Sequence, residues 1–460
     1  MPGMHYLKKP LGGHSTVELT AYVAPGLRGQ AARHSGRLFR AETLTLPAFY
    51  PVTTGSQISM SDSKPPLNPI NAVIFLGLPL AALLLVPLWG IYHGYDAFQW
   101  LWALAFLYLN GLSITGGYHR LWAHKAYRAR PALKWFFAFW GAGALQNSIL
   151  TWASDHRRHH RHVDDNELDP YSAGRGLWFS HIGWMLREYD SYEPDFSNAR
   201  DLQRDRVVMW QDKHYVALTT FMNLGLPLLL GVWHGDIIGT LLLVGLLRLV
   251  VNHHVTFFIN SLAHYWGTRP YTESNSARDN GFLAFLTYGE GYHNYHHIFQ
   301  ADYRNGIRWW QWDPTKWMIS ACSRVGLASD LKRVPDFKIQ RAILDTQFER
   351  ARSKMEEAQS SETLRASLER EYQLFTESVN QWTALQAERY ERKKSELSEA
   401  LGERKGQLGD ALAQRRQRLQ QQWEHAALRT KFKELEYSLK MQRKRLGLLV
   451  QQAQLQALPA

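Results

Sequence analysis

Four stretches decide what this chain can become. Asn71–Tyr92 (NAVIFLGLPLAALLLVPLWGIY) runs 22 residues without a charge, and 97–118 (AFQWLWALAFLYLNGLSITGGY) does the same. Tyr215–Trp233 (YVALTTFMNLGLPLLLGVW) is also uncharged, and Ile237–Ile259 (IIGTLLLVGLLRLVVNHHVTFFI) is interrupted by Arg248 and two histidines. A helix needs about 20 apolar residues to cross a bilayer, and only helices or closed barrels satisfy their backbone groups there. The expected fold class is therefore an all-α integral membrane protein, with multi-pass spans at about 71–92, 97–118, 215–233 and 237–259. The joints inside the two pairs, HGYD and HGD, are so short that each pair must be a hairpin. Neither joint has Lys or Arg, whereas both termini and the loop 119–213 are rich in them. The positive-inside rule puts termini and loop in the cytoplasm, at the inner membrane if the source is bacterial. A fifth apolar stretch, Leu133–Leu150, would separate His124 from His156 if it crossed, so a buried or amphipathic helix along the membrane surface is expected.

The flanks differ from this core. Residues 1–59 show no periodicity and no signal-peptide core. Met60 opens MSDSKPPLNPIN, a polar lead into the first span, so 1–59 reads as a disordered tail or a misassigned start. The membrane domain is expected over 60–335 and a charged helical extension over 336–460. In the extension, Leu397, Leu408 and Leu419 recur every 11 residues, as do Tyr390, Leu401, Leu412 and Trp423, and from Leu428 the steps become 4-3-4. This reads as a coiled-coil-like tail or long helical hairpin, suited to self-association or partner binding through 340–460. The net charge of +12 suits an anionic membrane face or an acidic protein, and no nucleic-acid motif accompanies it. Many of the 18 tryptophans sit near the ends of apolar runs, as in interfacial belts.

Cys322 is the single cysteine, so any metal must rely on histidine and carboxylate. Histidines come in four groups: HRLWAH (His119, His124), HRRHH (His156, His159, His160), NSLAH (Asn260, His264) and HNYHH (His293, His296, His297). On a helix, i, i+3 and i+4 share a face, so HRRHH and HNYHH each aim three imidazoles one way. His119 and His124 are five apart, about 140° round an α-helix, and need a helix end or loop to converge. All four groups fall on the predicted cytoplasmic side. Nine imidazoles suit two first-row ions, with iron a good match and zinc or copper open, and Asn260 is a candidate for holding a water on one of them. Ligating imidazoles are neutral, which removes the repulsion within HRRHHRH. Asp155, Asp164, Asp165, Asp169 and Glu290 are nearby candidates to orient the rings. His162, His181, His214, His234 and His254 read as surface or interfacial, and His253 as a packing or tunnel residue.

These motifs, in this order and with these spans between them, resemble the membrane fatty acyl desaturases of the stearoyl-CoA Δ9 type over roughly residues 68–320. The chain reads as a bacterial-like member with an added C-terminal helical extension. DNELDPYSAGRGLWFSHIGW and WWQWDPTKW agree. The resemblance implies a cytoplasmic helical di-iron domain, with two Fe2+ held by His119, His124, His156, His159, His160, His264, His293, His296 and His297, and with Asn260 acting through water. It implies a narrow kinked tunnel with Gln146, Trp152 and Thr256 at the kink, and head-group contacts from Asn71 and Arg187. Ser154 and Glu188 stand where the animal enzymes commonly have arginine and lysine, which weakens the case for a coenzyme A head group and leaves a lipid- or carrier-bound chain open.

The implied activity is insertion of a cis double bond into a saturated acyl-CoA, with reduction of O2 to water. No heme, flavin or iron–sulfur motif accompanies the chain, so an external electron donor is implied, a separate electron-transfer protein with its reductase. The competing readings are an acyl-lipid desaturase or a hydroxylase of the same superfamily, and a membrane metal-binding scaffold that works through its helical tail.

Overall fold

The computed structural model describes residues 65–189, 195–357, 362–403 and, apart from six positions, 430–452. The expectations about 1–59 and Met60, and most positions of the 11-residue repeat, lie outside these residues. Among the described residues, four helices are long and apolar enough to cross a membrane: α1 Pro69–Tyr92, α2 Ala97–Ala123, α6 Tyr215–His234 and α7 Ile237–Tyr265. They contain the four expected spans. α2 and α7 run one or more turns further, and those extra turns carry His119 and His264. Together with the family assignment below, they make the chain a multi-pass integral membrane protein.

The tight joints work because each ends in a helix N-cap. Asp96 accepts from Gln99 N and receives Gln99's side chain back on its own N–H, a capping box that starts α2. Asp236 accepts from Gly239 N at 2.8 Å and starts α7. The joints are also tied to each other: Gln99 Nε2 donates to Asp236 Oδ2 at 2.9 Å, and His234 Nε2 lies 2.8 Å from Asp96 Oδ2. Exposed Tyr92, Trp100 and Trp233 ring this end, and exposed Tyr265 and Trp266 mark the other, an aromatic belt at both interfaces.

Between the hairpins lie α3 Pro131–Ala142, α4 Ile149–Arg161 and α5 Arg206–Lys213. Leu133–Leu150 is therefore not one helix. α3 is buried against α2, and the chain breaks after Ala142, with Leu145 and Asn147 at positive φ. Arg248 of α7 holds the break: its guanidinium donates to Gly143 O and Asn223 Oδ1, both at 3.0 Å, as a cation does at a helix C-terminus. His253 reaches Ala144 O at 3.0 Å, a packing role. At Gly117 and Gly141 a Cβ would run into the rings of Phe137 and Tyr118, so these glycines let α2 and α3 approach closely.

After α7 come the short helices α8 Gly281–Leu286 and α9 His293–Ile298, then α10 Pro314–Arg324. Two-residue strands, β1 Arg128–Ala129 and β2 Ala328–Ser329, pair antiparallel. The extension begins with α11 Asp336–Glu357 and α12 Glu362–Glu403. Leu344, Phe348 and Ala351 pack on Leu368, Phe375 and Val379. Phe337 meets Trp382 and Phe348 meets Tyr372, a pairing that runs antiparallel. Gln442 donates to Ser378 Oγ at 3.0 Å, and Leu449 packs against the same cluster. The described part is thus a hairpin with a third segment laid along it.

Candidate metal centre and adjoining cavity

The nine histidines gather into two groups. His119, His124, His156, His160 and His296 form one, and His159, His264, His293 and His297 the other. In each group the ligand atoms all lie within 4.8 Å of one another. HRRHH and HNYHH each divide between the groups, so α4 and α9 each serve both. HNYHH sits on a helix only six residues long, which its surroundings must hold.

His119 and His124 converge by a route the α-helical reading did not anticipate. The last part of α2, Ser113–Ala123, is a π-helix. Its hydrogen bonds skip five residues, with His124 N donating to His119 O at 3.0 Å, so residues five apart fall on one face. The two rings end 4.7 Å apart. The five-residue spacing was itself the signal.

The rings point Nε2 inward. In the five-histidine group His124 and His156 approach at 2.8 Å, His119 and His296 at 2.9 Å, and His160 and His296 at 3.0 Å, all Nε2 to Nε2. In the four-histidine group His293 and His297 approach at 3.0 Å, His264 and His293 at 3.1 Å, and His159 and His297 at 3.3 Å. Neighbouring ligands at right angles around an ion, each about 2.1 Å from it, would lie about 3.0 Å apart. The donor set fits two metal ions. Burial first, and then the mutual repulsion of these imidazoles, holds His156, His160, His293, His296 and His297 well below the usual histidine range, and His124 likewise. They are neutral and ready to ligate.

The outward nitrogens have their own partners. Both oxygens of fully buried Asp169 lie 2.9 Å from His159 Nδ1. Glu290 Oε2 lies 3.0 Å from His119 Nδ1. Glu290 is held in turn by Arg120 Nη2 at 2.8 Å and Asn305 Nδ2 at 2.6 Å, and Arg120 also donates to Asp313 and Tyr303 O. Burial alone would raise Glu290, but His119 and Arg120 override it and hold the carboxyl at about 2. The sequence reading missed Arg120, and it missed two hydroxyls: Tyr171 Oη lies 3.2 Å from His156 Nδ1, and Ser276 Oγ lies 2.7 Å from His264 Nδ1. Ser276 Oγ in turn donates to Asp164 at 2.5 Å.

Two expected ring partners sit elsewhere. Asp165 is exposed and accepts from the backbone N–H of Glu167 and Leu168; in the turn after α4 its side chain bonds locally instead of reaching a ring. Asp155 pairs with Arg158 at 3.6 Å, and burial pushes its carboxyl up to about 7. His181 and His254, read as surface or interfacial, are half-buried and face each other at 3.1 Å, with His181 also 2.9 Å from Ser261 Oγ.

A cavity of about 520 Å³ adjoins both groups. His119, His156 and His293 line it, with Asn260, Glu290 and Asp155, against an apolar wall that includes Ile70, Ile74, Phe75, Ile114, Phe257 and Ile259. Gln146, Trp152, Thr256 and Asn71 also line it. Gln146 Nε2 donates to Thr256 Oγ1 at 2.9 Å, and Trp152 stacks on His156. Arg187 is not on this wall; it donates to Pro65 O, beside the Asn71 Nδ2 to Met185 O bond. Ser154 is buried and donates to Asp195 O and Asn198 Oδ1, so it faces the protein interior.

Residues 97–328 match the family described as Fatty acid desaturase. A probable acyl-CoA desaturase of Schizosaccharomyces pombe is 41% identical over 280 residues, 60% of this chain and 57% of that protein. An acyl-CoA Delta-9 desaturase of Acheta domesticus is 32% identical over 67% of this chain and 88% of its own. An sn-2 palmitoyl-lipid 9-desaturase of Nostoc is 36% identical over 59% and 93%. The chain spans just over half the length of the fission-yeast relative. The match takes in all nine histidines and both hairpins except α1: this chain belongs to the fatty acid desaturase family.

Proposed function

We propose that the protein is an oxygen-dependent fatty acyl desaturase that inserts a cis double bond at carbon 9 of a saturated acyl-CoA, using two ferrous ions and electrons from a separate carrier and reductase. One observation carries this reading: a cavity with an apolar wall is lined by imidazoles of both histidine groups. Bound there, the iron pair supplies the dioxygen chemistry that removes two hydrogens.

The protein's part is to place and enclose the chain. The nine histidines would hold the ions, and Asn260, one turn ahead of His264 and on the cavity wall, would hold a water beside one of them. The apolar wall excludes bulk water and takes the methylenes. Trp152, flat against His156, and the Gln146–Thr256 pair fix which methylenes lie opposite the metals. Asn71 and Arg187 meet the head group, where Leu67 pairs with Arg187. Charge distribution orients this side to the cytoplasm, and the basic surface suits an acidic electron carrier. The acyl-CoA desaturases of Schizosaccharomyces pombe and Acheta domesticus support the coenzyme A thioester as substrate.

Expression in a desaturase-deficient host, followed by mass spectrometry of its fatty acids, tests the reading. A cis-9 monoene is expected. A hydroxylated chain would reassign the reaction, and an unchanged profile with full iron loading would overturn it. Purified protein that takes up stearoyl-CoA but converts only phospholipid-bound chains would move the substrate to lipid.

A further inference from the structure

The family match ends at residue 328, and the extension that follows does not stand apart from the metal site. α11 has two faces. Leu344, Phe348 and Ala351, spaced i, i+4, i+7, face α12. Ile339, Ile343, Thr346 and Arg350 follow the same spacing on the other side, and the contacts of Ile339, Ile343 and Arg350 are with the membrane domain.

Those contacts converge on the back of α9. Ile339, with 2% of its surface exposed, packs with Tyr295 and Tyr271, and Phe299, Val334, Ala342 and Ile343 close the cluster. Tyr295 sits between His293 and His296 and is 1% exposed. Its hydroxyl donates to buried Asp302, which also accepts from Val334 N just ahead of α11. The neighbouring Asn294 locks the adjoining loop: its Oδ1 accepts from Tyr271 N, and its Nδ2 donates to Thr272 O and Ala277 O. That loop carries Ser276, the partner of His264 Nδ1. Eleven residues beyond Ile339, Arg350 grips the same loop through Glu273 Oε1 at 2.7 Å and Arg269 O at 2.5 Å. A six-residue helix bearing three of the nine histidines cannot hold its own geometry. Here α11 supplies one wall of its socket and clamps the loop that orients a fourth.

We propose that α11 is a brace for the four-histidine site, and that Ile339 and Arg350 are positioning residues that fix α9 and the 269–277 loop. The inference rests on the reading of that site as a metal site, but part of its test does not.

The test uses full-length protein in detergent, with Ile339→Asp combined with Arg350→Ala, and with Ile339→Ala as a milder variant should the first not fold. Hydrogen exchange of the metal-free protein is read at 269–277, 293–299 and 149–161. Exchange in the first two segments is expected to rise while 149–161 stays protected. Wild-type protection at 269–277 and 293–299, in a variant whose α11 itself exchanges freely, would overturn the brace. Iron retention against a chelator is the second readout: the four-histidine ion, which takes two of its four ligands from α9 and a third from His264, is expected to leave about 10–100-fold faster than in wild type, and the five-histidine ion, with His296 alone on α9, is expected to change less. Equal retention of both ions would also overturn it. Wild-type protein that binds no iron would remove the metal reading and leave the exchange result to decide the brace.

Discussion

The two histidine groups share two helices, α4 and α9, but are completed and supported differently. The five-histidine group rests on buried charge: His119 on Glu290, Glu290 on Arg120, and Arg120 on Asp313, all almost wholly buried. The four-histidine group rests on one buried carboxylate, Asp169, and on a hydroxyl, Ser276, carried by a loop. The first should be rigid and costly to disturb. The second, beside Asn260 and held partly by loop and extension, should yield more easily.

Substitution of a histidine from each group gives the largest effect. His124→Ala is expected to remove one ion and His264→Ala the other, each abolishing desaturation while the partner ion remains. Metal analysis of the two variants would break the comparison if either lost both ions or neither.

The next effect belongs to the charge network. Arg120→Met leaves Glu290 and Asp313 buried without their cation, which costs roughly 3–5 kcal/mol. Thermal unfolding of the metal-free protein should fall sharply. Asp169→Asn in the other group keeps its volume and a hydrogen-bond partner and should cost mainly metal affinity, about 10–100-fold. A similar loss of stability from both variants would erase the distinction.

Acid should act on both groups together. Unfolded histidine titrates near 6.5, whereas His124, His156, His160, His293, His296 and His297 are held well below that by burial and by one another. The folded protein therefore binds fewer protons than the unfolded one, and its stability and metal retention rise with pH through this range. Both should fall as pH drops below about 6.5, with more than one proton taken up per ion released. Glu290, held at about 2, stays ionised throughout that window and contributes nothing to the loss. Metal content measured from pH 7.5 to 5 checks this, and a slope of one proton per ion would contradict it.

The spans and the histidine clusters were legible because each is a local pattern. An uncharged run of about 20 residues has few alternatives, and i, i+3, i+4 histidines share a helix face wherever they lie. What stayed hidden depends on partners far along the chain. Arg120 reaches Glu290 across 170 residues, and Ser276 finds His264 through a loop whose course no short window specifies. The break after α3 was foreshadowed only by the asparagine of GAGALQN, which tolerates positive φ; Leu145, which shares that conformation, gave no signal, and the apolar count outweighed the asparagine. The π-helix was masked by treating five-residue spacing as a defect of an α-helix instead of the period of another one. The brace depends on two faces of α11, and the helical repeat read in the extension begins only at Tyr390, beyond that helix.

The smallest expected effect separates two aspartates four residues apart, which sequence alone treated alike. Asp169 is fully buried and touches a ligand ring; Asp165 is exposed and touches only the turn it belongs to. Asp169 also accepts from Asp164 N and Tyr171 N, so it fixes both His159 and the chain that brings Tyr171 to His156. Asp165 lowers the free energy of a surface turn and nothing more. Asp165→Ala should therefore leave iron content, its pH dependence and desaturation at wild-type levels, while Asp169→Asn weakens the four-histidine site. Loss of iron from the Asp165→Ala protein comparable to that from Asp169→Asn would mean that the turn after HRRHH, and not the buried carboxylate, sets the orientation of His159.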